Sequence, residues 1–154
     1  VDVMASDVVA DRAEIARELS VRFASPDDLP DDRDRVFHTS ASDAGLAASL
    51  AALAFEGRVI ELSWYGDRQV SVPLGGAFHA RRLSIRSSQV GHVAPSRRAS
   101  LSRRDRLARA LAALDDSRLD ALLTDRVAFD DLPAALPRLL APGAPGIGLL
   151  VEYR

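Results

Sequence analysis

Short apolar runs alternate with amphipathic stretches over the first 63 residues, and that alternation restricts the fold more than any other feature. Val21-Arg22-Phe23-Ala24, Val36 to Ser40 and Val59 to Ser63 have strand length and composition, and Val1-Asp2-Val3 reads as the end of a further strand. Between them, Asp7 to Leu19 sets Val8, Val9, Ile15, Ala16 and Leu19 at helical spacing. Ser42 suits the N-cap of a second helix, with Asp43 in its first turn. That helix runs through Leu46, Leu50 and Leu53 to about Phe55, and Gly57 suits its end. Strands linked through helices lie parallel, because a parallel pair needs a long crossover where a hairpin does not. The chain is therefore expected to be α/β, with a parallel sheet covered by helices. Antiparallel pairing of Val36–Ser40 with Val59–Ser63 would exclude this.

Beyond Trp64 the rhythm changes. Tyr65-Gly66-Asp67 reads as a turn, and Val70, Val72 and Leu74 alternate with polar residues as on a strand with one covered face. Pro73 fits an edge position there, where no ladder donor is needed. Gly75-Gly76 breaks the strand, Ala77 to Arg82 reads as a helical turn, and Leu83 to Ser88 as the next sheet element. Ser102 caps a helix carrying Leu107, Leu111 and Leu114. Leu119 to Thr124 is a strand candidate, and Phe129 to Leu140 a helix that Pro137 is expected to bend or split. A turn at 142–145 then leads into a closing strand, Ile147 to Tyr153.

Composition excludes several classes. The 154 residues contain no Cys, so neither a disulfide nor thiolate ligation of zinc is open to the chain. The net charge of −2 implies no general affinity for nucleic acid, and the cluster of Arg97, Arg98, Arg103, Arg104 and Arg106 reads as a solvated helix start. No apolar run reaches the ~18 residues that would span a bilayer, and no signal-like leader opens the sequence, so a cytoplasmic protein is expected. The three imidazoles, His38, His79 and His92, stand 41 and 13 residues apart and match no compact metal motif. His38 lies on a core strand and is expected to be a hydrogen-bonded structural residue. No Gly-x-Ser-x-Gly elbow is present, and no Ser–His–Asp grouping can be read from the sequence.

Four passages, taken in order, resemble the second half of the medium-chain dehydrogenases, the family of the zinc alcohol dehydrogenases. They are Val1-Asp2-Val3; Val36-Phe37-His38-Thr39-Ser40 with its following helix; Gly57 to Ser63; and Phe129-Asp130-Asp131-Leu132-Pro133-Ala134-Ala135-Leu136, ending in Gly146 and a last strand. The resemblance spans nearly the whole chain. It implies a partial Rossmann fold, a doubly wound parallel sheet lacking its first strand, over residues 1–95. Residues 96–154 would return to the family's catalytic domain. It implies hydride transfer between a nicotinamide cofactor and a small alcohol or carbonyl substrate, with NAD favoured over NADP. Asp2 would take the adenosine-ribose hydroxyls. Thr39, Ser40 and Ser42 would flank adenosine, and Leu62, Ser63 and Trp64, with Ser87, Ser88 and Gln89, would meet the carboxamide. The Gly-rich phosphate loop, and zinc if there is any, would belong to an upstream part, so this chain alone is expected to be inactive. A homodimer through the Val70–Leu74 edge is also implied. The alternative is a non-catalytic Rossmann-like module kept for nucleotide binding or association.

Overall fold

The computed structural model describes residues 1–141, 144 and 146–153, and every strand pair among them is parallel. Strand β1 (Met4–Ser6), helix α1 (Arg12–Glu18) and β2 (Arg22–Ala24) form one βαβ unit. Next come β3 (Arg33–His38), α2 (Asp43–Ala51), β4 (Leu53–Glu61), α3 (Ala77–Ala80) and β5 (Ser84–Ser87), whose strands make a sheet ordered β3-β4-β5. Finally α4 (Arg103–Ala113), β6 (Asp125–Ala128), α5 (Leu132–Leu139) and β7 (Leu149–Glu152) follow, with β6 paired to β7. Val36 lies beside Val59 and His38 beside Glu61 in parallel register, as the alternation of strands and helices requires.

The core sits on the three-stranded sheet. Leu46 and Leu50 of α2 meet Leu53 and Val59 of β4 and Leu83, with Val36, Val70, Val72 and Phe78 packed around them. Leu53 and Val59 are fully buried, each stabilising the fold by roughly 1.5–3 kcal/mol relative to exposure. The β1–β2 unit buries only Ala16 of α1 completely. Arg12 ties α1 to the chain before β7 by donating to the Gly146 carbonyl at 3.2 Å.

Several boundaries differ from the sequence expectation. The first strand starts at Met4, not Val1, because its partner β2 begins at Arg22 and the ladder runs from there. Helix α2 stops at Ala51 instead of near Phe55, since Leu53 is captured by pairing with Arg33. Gly57 accordingly ends no helix. It lies in a bulge of β4, where six residues of β4 (Leu53 to Arg58) span three of β3 (Arg33 to Arg35). A Cβ at Gly57 would stand 2.9 Å from both Leu53 Cβ and Ala54 O, so the bulge closes only around glycine.

Val70 to Leu74 joins no ladder, and Val70 and Val72 turn inward onto the core. The apolar face expected to seat a second copy is thus used within the chain. Ser117–Leu122 forms a 3-10 turn where a strand was expected, capped by Asp116 Oδ1 accepting from Arg118 N at 3.0 Å, and the strand follows at β6. Pro137 does not split α5: in so short a helix it removes one hydrogen bond, and Leu140 N still donates to Leu136 O at 2.9 Å. The turn expected at 142–145 lies outside the described residues except for Ala144. Ser102 and Asp105 cap α4 reciprocally, yet Leu107, Leu111 and Leu114 are each more than half exposed. No helix among the described residues is long and apolar enough to cross a membrane.

Candidate functional site

Parallel strands bring their carboxyl ends to one side of a sheet, and open α/β sheets bind ligands there. His38 ends β3 and Glu61 ends β4, side by side in register. Their side chains are 4% and 11% exposed, so both must find partners within the protein. His38 Nδ1 lies 2.8 Å from Glu61 Oε2, and His38 Nε2 lies 2.7 Å from Ser40 Oγ. Ser40 Oγ is 2.9 Å from Ser42 Oγ, which accepts from Gly45 N at 3.0 Å. Glu61 Oε1 accepts from Ser63 N at 2.8 Å, and Tyr65 Oη donates to Glu61 Oε2 at 3.2 Å. Among the described residues no buried side-chain nitrogen or oxygen is left without a partner.

The Glu61 end of this chain of hydrogen bonds sets its direction, because an ionised carboxylate only accepts. With a neutral imidazole the proton sits on Nδ1, toward Glu61, and Nε2 presents a lone pair to the Ser40 hydroxyl. Ser42 in turn is free to donate to Ser40. Burial works to raise the Glu61 carboxyl, but the bonds from His38 and Ser63 outweigh it and hold the group below its ordinary 4.5. Burial first, then the Glu61 charge, pushes the Tyr65 phenol up to about 12, so it stays a donor.

The turn between β3 and α2 is built to hold this arrangement. Ala41 takes a left-handed φ of 50°, which costs a non-glycine residue about 1–2 kcal/mol. Its amide donates to Ser63 Oγ at 3.0 Å, and its carbonyl accepts from Arg68 Nη2 at 2.6 Å. Gly45 matters for contact, not for torsion: a Cβ there would overlap Ser40 Oγ and come to 2.8 Å from His38 Nε2 and Ser42 Oγ.

Most of the residues singled out from sequence gather at these strand ends. Thr39, Ser40 and Ser42 form the β3–α2 turn, and Leu62, Ser63 and Trp64 follow β4, with Trp64 87% exposed. Ser87 ends β5, and Ser88 N donates to Glu61 O at 2.8 Å. Gln89 folds back, its Oε1 accepting from Gly91 N at 2.6 Å. Asp2 is the exception. The strand it was expected to close begins two residues later, so Asp2 lies at the opposite, amino end of β1. There it pairs with Arg22 and, at 2.8 Å, with Arg33, and the hydrogen bonds from Arg33 and Arg22 hold its carboxyl below the usual range. Asp7 is the acid that follows the carboxyl end of β1. It caps its own turn by accepting from Val9 N at 2.9 Å and lines a cavity of about 350 Å³ with Ser6, Arg12, Ile15 and Gly146. Asp7, Glu61 and Tyr65 escaped the sequence reading. A signal existed for Glu61, because His38 and Glu61 stand near the ends of consecutive expected parallel strands.

No protein-family model matches the chain, and no curated protein sequence matches it significantly. Solved structures do. 2R,3R-butanediol dehydrogenase from Bacillus subtilis is 14% identical with a TM-score of 0.69, over 99% of this chain and 44% of that one. The yhdH oxidoreductase from Salmonella enterica, solved with NADP, is 18% identical with a TM-score of 0.70, over 99% and 47%. Bacillus subtilis protein yhfP, solved with NAD bound, is 19% identical with a TM-score of 0.66, over 98% and 46%. The chain thus spans less than half the length of these proteins. At such identities the likeness is one of fold, and with the parallel strand order it shows a partial Rossmann-like α/β architecture.

Proposed function

We propose that this chain is the cofactor-side portion of a medium-chain, alcohol-dehydrogenase-like oxidoreductase that uses NAD. The observation carrying this reading is the row of polar turns at the carboxyl ends of β3, β4 and β5, in a fold shared with oxidoreductases. Bound nicotinamide would accept or donate a hydride at the carbon of a small alcohol or carbonyl substrate. Asp7, in place of Asp2, takes the role of the carboxylate that accepts the ribose hydroxyls and repels a 2′-phosphate, which favours NAD. Thr39, Ser40 and Ser42 flank adenosine, and the backbone at Leu62–Trp64 and Ser87–Gln89 meets the carboxamide. Residues 1–95 form the cofactor-binding unit, and residues 96–154 belong with the catalytic domain. The chain has no Gly-x-Gly-x-x-Gly. Diphosphate contacts, and any zinc that polarises the substrate oxygen, then come from residues outside it, so the chain alone binds NAD weakly and does not turn over.

Titrating NAD into isotopically labelled chain tests this by amide chemical shifts. Weak saturable binding, with Kd about 1 mM, is expected to move Asp7, 39–42, 62–64 and 87–89. Shifts confined to the amino ends of the strands, or none at all, would overturn it. The exposed Leu107, Leu111 and Leu114 favour a second reading, a non-catalytic association module. That reading gains if the chain shows no amide shift with NAD but self-associates in sedimentation, with Leu107→Asp and Leu111→Asp dispersing it.

A further inference from the structure

We propose that Ser40 is an activated nucleophile, with His38 as its general base and Glu61 orienting the imidazole, and that the site transfers the acyl group of small carboxylic esters. Three observations support it independently of the dehydrogenase reading. The spacing is that of a nucleophile–base–acid relay, 2.7 Å from Ser40 Oγ to His38 Nε2 and 2.8 Å from Nδ1 to Glu61. Its polarity is set by Glu61, which only accepts, so that a neutral ring with its proton on Nδ1 offers the Ser40 hydroxyl a lone pair at Nε2. Ser40 is exposed, whereas His38 and Glu61 are shielded from water.

The surroundings complete the chemistry. Gly45 lets Ser40 Oγ pack close against the first turn of α2, where any side chain would overlap it. Of the first-turn amides of α2, that of Gly45 is taken by Ser42, while those of Asp43 and Ala44 meet no acceptor among the described residues. They are the donors available to an oxyanion formed at Ser40. Leu62 and Trp64, exposed beside Ser63, provide apolar surface for a short acyl chain. In the first step Ser40 Oγ bonds to the ester carbonyl carbon as His38 Nε2 takes the hydroxyl proton. The carbon–alkoxy bond then breaks, and that proton passes from Nε2 to the departing alcohol. Water repeats the sequence on the acyl-serine, releasing the acid and restoring Ser40.

A fluorophosphonate probe, incubated with the full 154-residue chain and followed by peptide mass spectrometry, decides the matter. A single adduct on Ser40 is expected, absent in Ser40→Ala and formed about 100-fold more slowly in His38→Gln. Where His38→Gln fails to fold, the isosteric Glu61→Gln carries the comparison. Its labelling is expected to slow about tenfold, and its pH–rate profile to move to lower pH, since the negative charge beside the imidazole is gone. The absence of a Ser40 adduct in the wild type, or wild-type rates and profile in the folded variants, would overturn the proposal. NAD binding is measured separately, so either reading fails without the other.

Discussion

His38 and Glu61 meet at 2.8 Å, and so do Asp2 and Arg33, yet the two pairs do different work. The first is sealed at the carboxyl ends of β3 and β4, with side chains 4% and 11% exposed. The second lies at the margin of the β1–β2 unit, with Asp2 57% exposed. Water screens the outer pair and competes for it, whereas the inner pair is partnered within the protein, with Ser63 N and Tyr65 Oη also on Glu61. Equal distances thus conceal unequal consequences, and burial sets which charges the fold depends on.

The widest gap between the regions should appear in their apolar contacts. Leu53→Ala in β4 is expected to cost about 2–5 kcal/mol, because a residue with no exposed surface leaves a cavity that rigid neighbours fill poorly. Leu19, only partly buried beyond α1, should cost about 1 kcal/mol on the same change. Urea titrations of both variants measure the contrast, and equal losses would erase it. By the same logic Val72→Asp, at a partly buried position against the core, should destabilise the folded chain.

Gly45→Ala sharpens the comparison within the relay. The added methyl collides with Ser40, His38 and Ser42 together, and is expected to destabilise by about 1–3 kcal/mol as overpacking does. The His38 ring resonances in NMR should move with it. Unchanged resonances would mean that the relay tolerates the methyl and that the fit around Gly45 is loose.

Glu61→Gln separates the two acids by pH. The folded carboxyl of Glu61 lies below its ordinary 4.5, so its ionised form stabilises the fold above that value, and the contribution is lost as pH falls through the folded value. At neutral pH the variant is expected to be about 1–2 kcal/mol less stable, with a flatter acid limb. Parallel acid limbs in wild type and variant would show that the pair contributes nothing.

These contrasts also explain what the sequence made legible. The parallel sheet followed from local apolar periodicity, which strands such as Val36–Phe37–His38 carry within a few residues. Strand ends did not follow, because Met4 begins β1 only where Arg22 offers a partner. Gly57 is ambiguous by nature, since a helix end and a bulge both favour glycine. Val70 and Val72 announced one covered face without saying what covers it. The relay depended on the register of residues 23 apart, which no local pattern encodes, although two polar residues near the ends of successive strands were the available clue.

Asp2→Asn should have the smallest effect. Arg33 and Arg22 both lower the Asp2 carboxyl, which by itself would make the ionised acid a stabilising group above the usual carboxylate range. The site is open to solvent, however, and Arg33 keeps Asp32 as a second partner while Arg22 is itself more than half exposed. Removing the charge leaves no buried group without a partner, so the melting temperature is expected to stay within about 2 °C of wild type at 0.15 M salt. Scanning calorimetry at low and high salt checks this. A drop of several degrees that persists at 1 M salt would mean that Asp2 pins β1 and β2 against β3, and that the outer pair belongs with His38 and Glu61 instead of opposite them.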